Sequence, residues 1–91
     1  MLLPIKTKRF EKDEGKAHQQ KKDFQILKKV LIQLIEEKPL EPKYCDHPLQ
    51  GEWKGFRDCH VQNDWVLIYK IDQKAKTITF VRLGSHSELF R

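Results

Sequence analysis

The stretch Asp46–Ile71, DHPLQGEWKGFRDCHVQNDWVLIYKI, decides how the rest of the chain is read. Its second half contains Trp65-Val66-Leu67-Ile68-Tyr69, an unbroken apolar run built from β-branched and aromatic residues. Alternation puts Trp65, Leu67, Tyr69 and Ile71 on one face and Val66 and Ile68 on the other. A strand that is apolar on both faces belongs inside a sheet, with cover on each side. The first half differs. Around Gly51 and Gly55 it carries His47, Lys54, Arg57, Asp58 and His60, with Asp64 at the turn into the central strand. Titratable groups therefore crowd against the most buried element, which makes this the first place to look for chemistry.

Working outward, three strands fit the C-terminal half, at about 53–61, 65–71 and 77–83. Gln62-Asn63-Asp64 suits a tight hairpin and Asp72-Gln73-Lys74-Ala75-Lys76 a looser one. Gly84 ends the last strand, and Ser85 to Phe90 form a tail with one helical turn pinned by Leu89 and Phe90. Towards the N-terminus, Asp23 is an N-cap for a clear helix in which Phe24, Leu27, Val30, Leu31, Leu34 and Ile35 make one apolar stripe. Pro39 and Pro42 stop it. A weaker helix over about 8–20 starts at Thr7, is anchored by Phe10, and carries Gly15 and a polar run from Lys16 to Lys22. Leu2 to Lys6 read as a short edge strand, where the missing N–H of Pro4 matters least. The order β-α-α-β-β-β implies an α+β fold, an antiparallel sheet with two helices packed on one face.

Ninety-one residues are expected to make one domain, 1–91, with one small core. Eighteen Lys and Arg against thirteen Asp and Glu leave a formal charge of +5, which favours a polyanionic partner, nucleic acid before membrane. No apolar run approaches the roughly 20 residues of a bilayer span. The start, MLLPIK, is too quickly charged for a secretory leader, so a cytoplasmic location with reduced thiols is expected. Cys45 and Cys59 lack metal-ligand spacing and read as small apolar fillers. His18, in the polar run, reads as a solvated side chain.

On this topology His60, Asp64, Arg82 and His86 converge at one end of the sheet, because pairing 65–71 with 77–83 brings Arg82 towards Trp65. Imidazoles move protons near neutrality, a carboxylate can orient one or act as a base, and a guanidinium fits a phosphate. Metal-free RNA cleavage needs these groups and no protein nucleophile, because the ribose 2′-OH attacks. The same residues also fit polar positions at strand ends, or ligands to a metal without compact ligand spacing.

Taken in order, D-H-P-L-x-G, W-K-G-aromatic-R-D-x-H, D-W-x-L-x-Y and R-x-G-S-H…L-F resemble the RelE/YafQ superfamily of bacterial toxins, the YafQ branch in particular, over about 46–90. The resemblance implies the RelE-like microbial RNase fold and a ribosome-dependent mRNA endonuclease. It implies the toxin of a type II toxin–antitoxin pair, held inactive by an antitoxin from a neighbouring gene, with mRNA and the ribosome as its other partners and no cofactor or metal. Carried over by position, the catalytic residues are His47, His60, Asp64, Arg82 and His86, with Phe90 and Lys54 contacting RNA. Arg82 is expected at the scissile phosphate and His86 as general acid. The base is Asp64 or His60, and His47 holds phosphate or ribose. A non-catalytic RNA- or DNA-binding module is the alternative from another class.

Overall fold

The computed structural model describes residues 1–90. In chain order the elements are strand β1 (Leu3–Lys6), helices α1 (Lys8–Gln19) and α2 (Phe24–Ile35), strands β2 (His47–Pro48), β3 (Arg57–Gln62), β4 (Trp65–Asp72) and β5 (Thr77–Gly84), and helix α3 (His86–Leu89). Single 3₁₀ turns occupy Pro42–Tyr44 and Gly51–Trp53. The sheet runs β1-β5-β4-β3-β2, so β4 lies at its centre.

Both N-caps work as expected. The Thr7 hydroxyl accepts the Phe10 N–H at 3.0 Å and donates to the Val81 carbonyl at 2.8 Å, so one side chain starts α1 and ties it to β5. Asp23 accepts from the N–H groups of Gln25 and Ile26. The stripe of α2 buries Leu27, Val30 and Leu34 with Phe10 and Ala17 of α1 against Trp65, Leu67 and Tyr69. Those residues form the helix-covered face of β4. Val66 and Ile68 face the other way, under Leu89 of α3 with Trp53, Phe56 and Phe90 around them. The two-sided reading of β4 therefore holds, and Trp65 sits in the core, 5.8 Å edge-on from Phe24.

Three departures have physical causes. Pairing is antiparallel across β2–β3, β3–β4 and β4–β5, but β1 runs parallel to β5, which makes the sheet mixed. β1 must deliver the chain to α1 at the end where α1 packs along β5, and this sets its direction. Second, β3 begins at Arg57 rather than near 53. Gly51 and Gly55 take φ of +66° and +95°, outside the extended region, and the chain between them curls into a 3₁₀ turn. This releases His47–Pro48 to add β2 beside Asp58 and Arg57. Third, Cys45 is exposed in a left-handed conformation after the Pro42–Tyr44 turn, whereas Cys59 is the buried filler expected. His18 is exposed, as expected, yet its ring also stacks on Phe24 at 3.8 Å.

Candidate active site

The register builds the site. His60 of β3 faces Val66 of β4, which faces Gly84 of β5, so one rung of the sheet connects His60 to the start of α3. This row is on the side away from α1 and α2, because Val66 packs there. The register slips between His60 and Gln62, and Asn63 takes φ of 47°, leaving Asp64 at the hairpin tip above that rung. Gly84 then lets the chain turn back. A Cβ there would stand 3.1 Å from Glu88 Oε1 and 3.4 Å from Leu89 Cδ2, so a side chain would make the Glu88 carboxyl of the capping box shift.

α3 is only one turn long, yet it is firmly tied. Ser85 and Glu88 form a reciprocal capping box, and Glu88 also pairs with Lys16 of α1. Those contacts, Lys16 first and then the Ser85 N–H, hold the Glu88 carboxyl down to about 2. His86, the first residue of α3, is thereby fixed over the hairpin. Asp64 Oδ1 accepts from the His86 backbone N–H at 3.0 Å and lies 2.7 Å from its Nδ1. These two bonds, the backbone one foremost, lower the Asp64 carboxyl below the usual range. With Nδ1 engaged by Asp64, Nε2 is the ring nitrogen left to exchange a proton. The His60 ring stands edge-on to His86, 4.9 Å between centroids.

The expected convergence is met for His60, Asp64 and His86. His47 joins from β2 through Asp58, a residue that motif and spacing did not select. His47 Nε2 lies 2.8 Å from Asp58 Oδ1, yet the contact is not a hydrogen bond and that buried oxygen has no hydrogen-bond partner. Asp58 is 2% exposed, and desolvation raises its pKa against the opposing pull of His47, His60 and His86. All three imidazoles therefore act electrostatically on one buried carboxylate. A signal was present: Asp58 and His60 are two apart on one strand and must share a face. The loop bearing His47 is held by Asp46, which accepts from Arg57 (3.3 and 3.4 Å) and from the buried Tyr69 hydroxyl.

Arg82 is placed differently. Its Nε and Nη2 donate to Asp13 of α1 at 2.8 and 3.3 Å, and the Leu83 N–H donates to the same carboxylate at 2.9 Å. Nη1 takes no part in these bonds. Asp13 gave no signal in the sequence, because a carboxylate on a polar helix face reads as solvated. Phe90 lies 5.9 Å from His86 and 6.2 Å from Trp53, which meets Phe56 at 5.3 Å, so an aromatic chain leads away from the histidines. Lys54 is exposed at the end of the Gly51–Trp53 turn. Among the described residues, no group of three or more His, Cys, Asp and Glu is arranged to hold a metal. None of their helices is long and apolar enough to cross a membrane.

Fold and site together define a small, net basic α+β protein that presents imidazoles and a carboxylate on an open surface. The comparisons narrow this class. The family model described as the bacterial toxin of type II toxin–antitoxin system, YafQ, matches residues 4–91, and the chain belongs to that family. It is 46% identical over 82 residues to the mRNA interferase toxin YafQ of Escherichia coli K12, covering 89% of this chain and 87% of that one. A metal-bound toxin from Helicobacter pylori superposes with a TM-score of 0.93 at 47% identity, covering 99% of this chain and 100% of that one. The toxin in the E. coli DinJ–YafQ complex does so with 0.91 at 41% identity, over the whole of both chains. The RelE-like α+β fold is that of these toxins.

Proposed function

We propose that the chain is an endoribonuclease, the mRNA interferase toxin of a type II toxin–antitoxin pair, cutting mRNA on the ribosome through attack by the 2′-OH. The observation that carries this reading is the edge-on His60–His86 pair at 4.9 Å, with His86 held by Asp64 at 2.7 Å. Two imidazoles side by side supply the two proton transfers that transesterification needs. His60 takes the 2′-OH proton as O2′ bonds to phosphorus. His86 gives a proton from Nε2 to O5′ as the P–O5′ bond breaks. The products are a 2′,3′-cyclic phosphate and a free 5′-hydroxyl. Asp64 is the weaker candidate for the base, because its Oδ1 is engaged by His86 and its lowered pKa makes it a poor proton acceptor.

Arg82 offsets charge on the phosphoryl oxygens through Nη1, with Asp13 fixing the plane of its fork. His47, braced by Asp58, holds phosphate or ribose, and Phe90 and Lys54 contact the flanking RNA. The mechanism assigns no step to a metal. The ribosome supplies what a 91-residue domain lacks, a strand already fixed in extended form, which removes the entropy cost of ordering it. A cognate antitoxin is the natural inhibitor, as DinJ partners YafQ in the E. coli complex.

The test is a translating extract given the purified protein, with and without chelator, and the 3′ ends of the fragments identified. Cleavage that survives chelation and leaves cyclic or 3′-phosphate ends is expected. A 3′-hydroxyl, or undiminished cutting after 2′-deoxy substitution at the cleaved position, rules out 2′-OH attack. Chelator-sensitive cutting rules out the metal-free step, a pointed control since a relative has been crystallised with metal. Absence of cleavage by the intact protein would favour a non-catalytic binding module.

A further inference from the structure

β2 pairs with β3 only as far as Asp58, and beyond that point the edge of β3 opens onto a cleft. The cleft holds about 510 Å³, a size suited to a nucleotide-sized ligand. Lys29 of α2 and Lys43 stand on its walls, the buried Tyr44 ring lines it, and Gln62 and Asn63 of the hairpin tip close one end. His60 borders it too, so the cleft lies beside the histidine cluster, across the edge of β3 on the helix side of the sheet. No carboxylate is among its lining residues. The hollow on the other side of the hairpin is smaller, about 340 Å³, and is lined by Asp64 and Glu88 together with Lys22. A polyanion leaving the histidines thus meets two lysines and no carboxylate on one side, and one lysine beside two carboxylates on the other.

We propose that this cleft is the subsite for the mRNA nucleotide next to the cleaved bond, and that it contributes to the choice of cleavage position. The assignment rests on the endonuclease reading above and names where the strand runs. Lys29 and Lys43 neutralise the neighbouring phosphate. Lys43 Nζ, 3.6 Å from the exposed Glu41 and 5.3 Å from the Tyr44 ring, is positioned at the cleft wall without being buried in an ion pair. Gln62 and Asn63 are exposed amides, each with a donor and an acceptor, the chemistry that reads an unstacked base edge.

The test has two arms. In the first, the intact protein binds a short single-stranded RNA at a series of salt concentrations. Lys29→Gln and Lys43→Gln each lower the magnitude of the salt slope by about 0.7, the value for one fewer phosphate neutralised on a single strand. Both side chains are exposed, so circular dichroism should be unchanged. In the second, cleavage positions are mapped in a translating extract. Gln62→Ala, and Asn63→Gly, which keeps the left-handed backbone at φ 47°, redistribute cutting among sites several-fold. Unchanged slopes together with an unchanged map overturn the proposal. Weaker binding to empty ribosomes with an unchanged map also overturns it, and gives the cleft to ribosomal RNA instead. If cleavage itself survives His86→Ala, the catalytic reading fails, while the oligonucleotide slopes still report on the cleft.

Discussion

Two carboxylates each reach across the fold to a cation-forming side chain near the end of the chain, and the two pairs could hardly differ more in setting. Asp64 holds His86 with side chains 62% and 49% exposed, whereas Asp13 holds Arg82 at 11% and 17%. The first pair sits on an open hairpin tip and leaves a ring nitrogen to the outside. The second is packed between α1 and β5 and accepts a third hydrogen bond from the Leu83 backbone. Ion-pair chemistry alone would rank Arg82–Asp13 as the stronger contact. Accessibility separates their proposed roles. The exposed pair is suited to orienting an imidazole towards a substrate, and the enclosed one braces the fold while leaving Nη1 of Arg82 outside its bonds.

His86→Ala strikes the open pair and should have the largest effect. The cleavage rate is expected to fall by about 10²–10⁴, the range for removal of a proton donor, with the melting temperature unmoved. Retained cleavage in a primer-extension assay would remove His86 from the acid role. The enclosed pair should behave otherwise. Arg82→Ala is expected to lower the rate about 10²-fold, as when one donor to developing charge is removed, and to reduce stability as well. Asp13→Ala should lower stability by roughly 3 kcal/mol, because it leaves a mostly buried guanidinium unpaired. Below its melting temperature it should lose less rate than Arg82→Ala, because the guanidinium keeps its charge and loses only its fixed plane. An undiminished rate in folded Arg82→Ala would make Arg82 a brace alone.

Asp64→Asn comes next. The amide keeps an acceptor near the His86 N–H but loses the charge that supports an imidazolium, so a drop of roughly 10- to 100-fold is expected, as for other groups that orient a working histidine. Cleavage assayed across pH should show a displaced alkaline limb, the side on which a general acid loses its proton. A uniform loss at every pH would point to misfolding of the tip instead.

The smallest effects are on stability against pH, and the two ends of the site should give opposite signs. Glu88 is held at about 2 from an ordinary 4.5, so its contribution is present above pH 4.5 and is lost as pH falls towards 2. Glu88→Gln should therefore flatten the acid limb of a thermal-melting series. Asp58 is raised above 3.8 by burial, so the folded state binds its proton more tightly and stability declines as pH rises past that value. Asp58→Asn should remove this decline. Same-sign changes in the two variants would mean that the Asp58 carboxylate is better paired than its geometry indicates.

Periodicity made much of the fold legible from residues alone. The alternation in Trp65–Tyr69 assigned both faces of β4, and Thr7 and Asp23 marked both helix starts because an N-cap is a local hydrogen bond. Family motifs brought out His47, His60, Asp64 and His86. What escaped depends on distant partners. Nothing near Asp13 in sequence points to Arg82, 69 residues away, and nothing near Leu2 to Lys6 shows which strand they join or in which direction. The strand expected from 53 failed for a local reason, two glycines in positive φ, whose presence was visible but whose conformations were not.

The parallel seam between β1 and β5 also has a consequence in time. Leu3 to Lys6 align with Thr77 to Phe80, Thr7 bonds to Val81, and Asp13 to Arg82 and Leu83, so the first segment made docks on one of the last. A chain emerging from the ribosome at about 5–20 residues per second must carry that segment undocked until β5 appears. Pairings this far apart in sequence are slow to close. His86 follows β5 directly, so the proposed acid group and the closing strand arrive together. A nascent toxin of this design therefore cannot assemble its candidate site until synthesis has passed the end of β5.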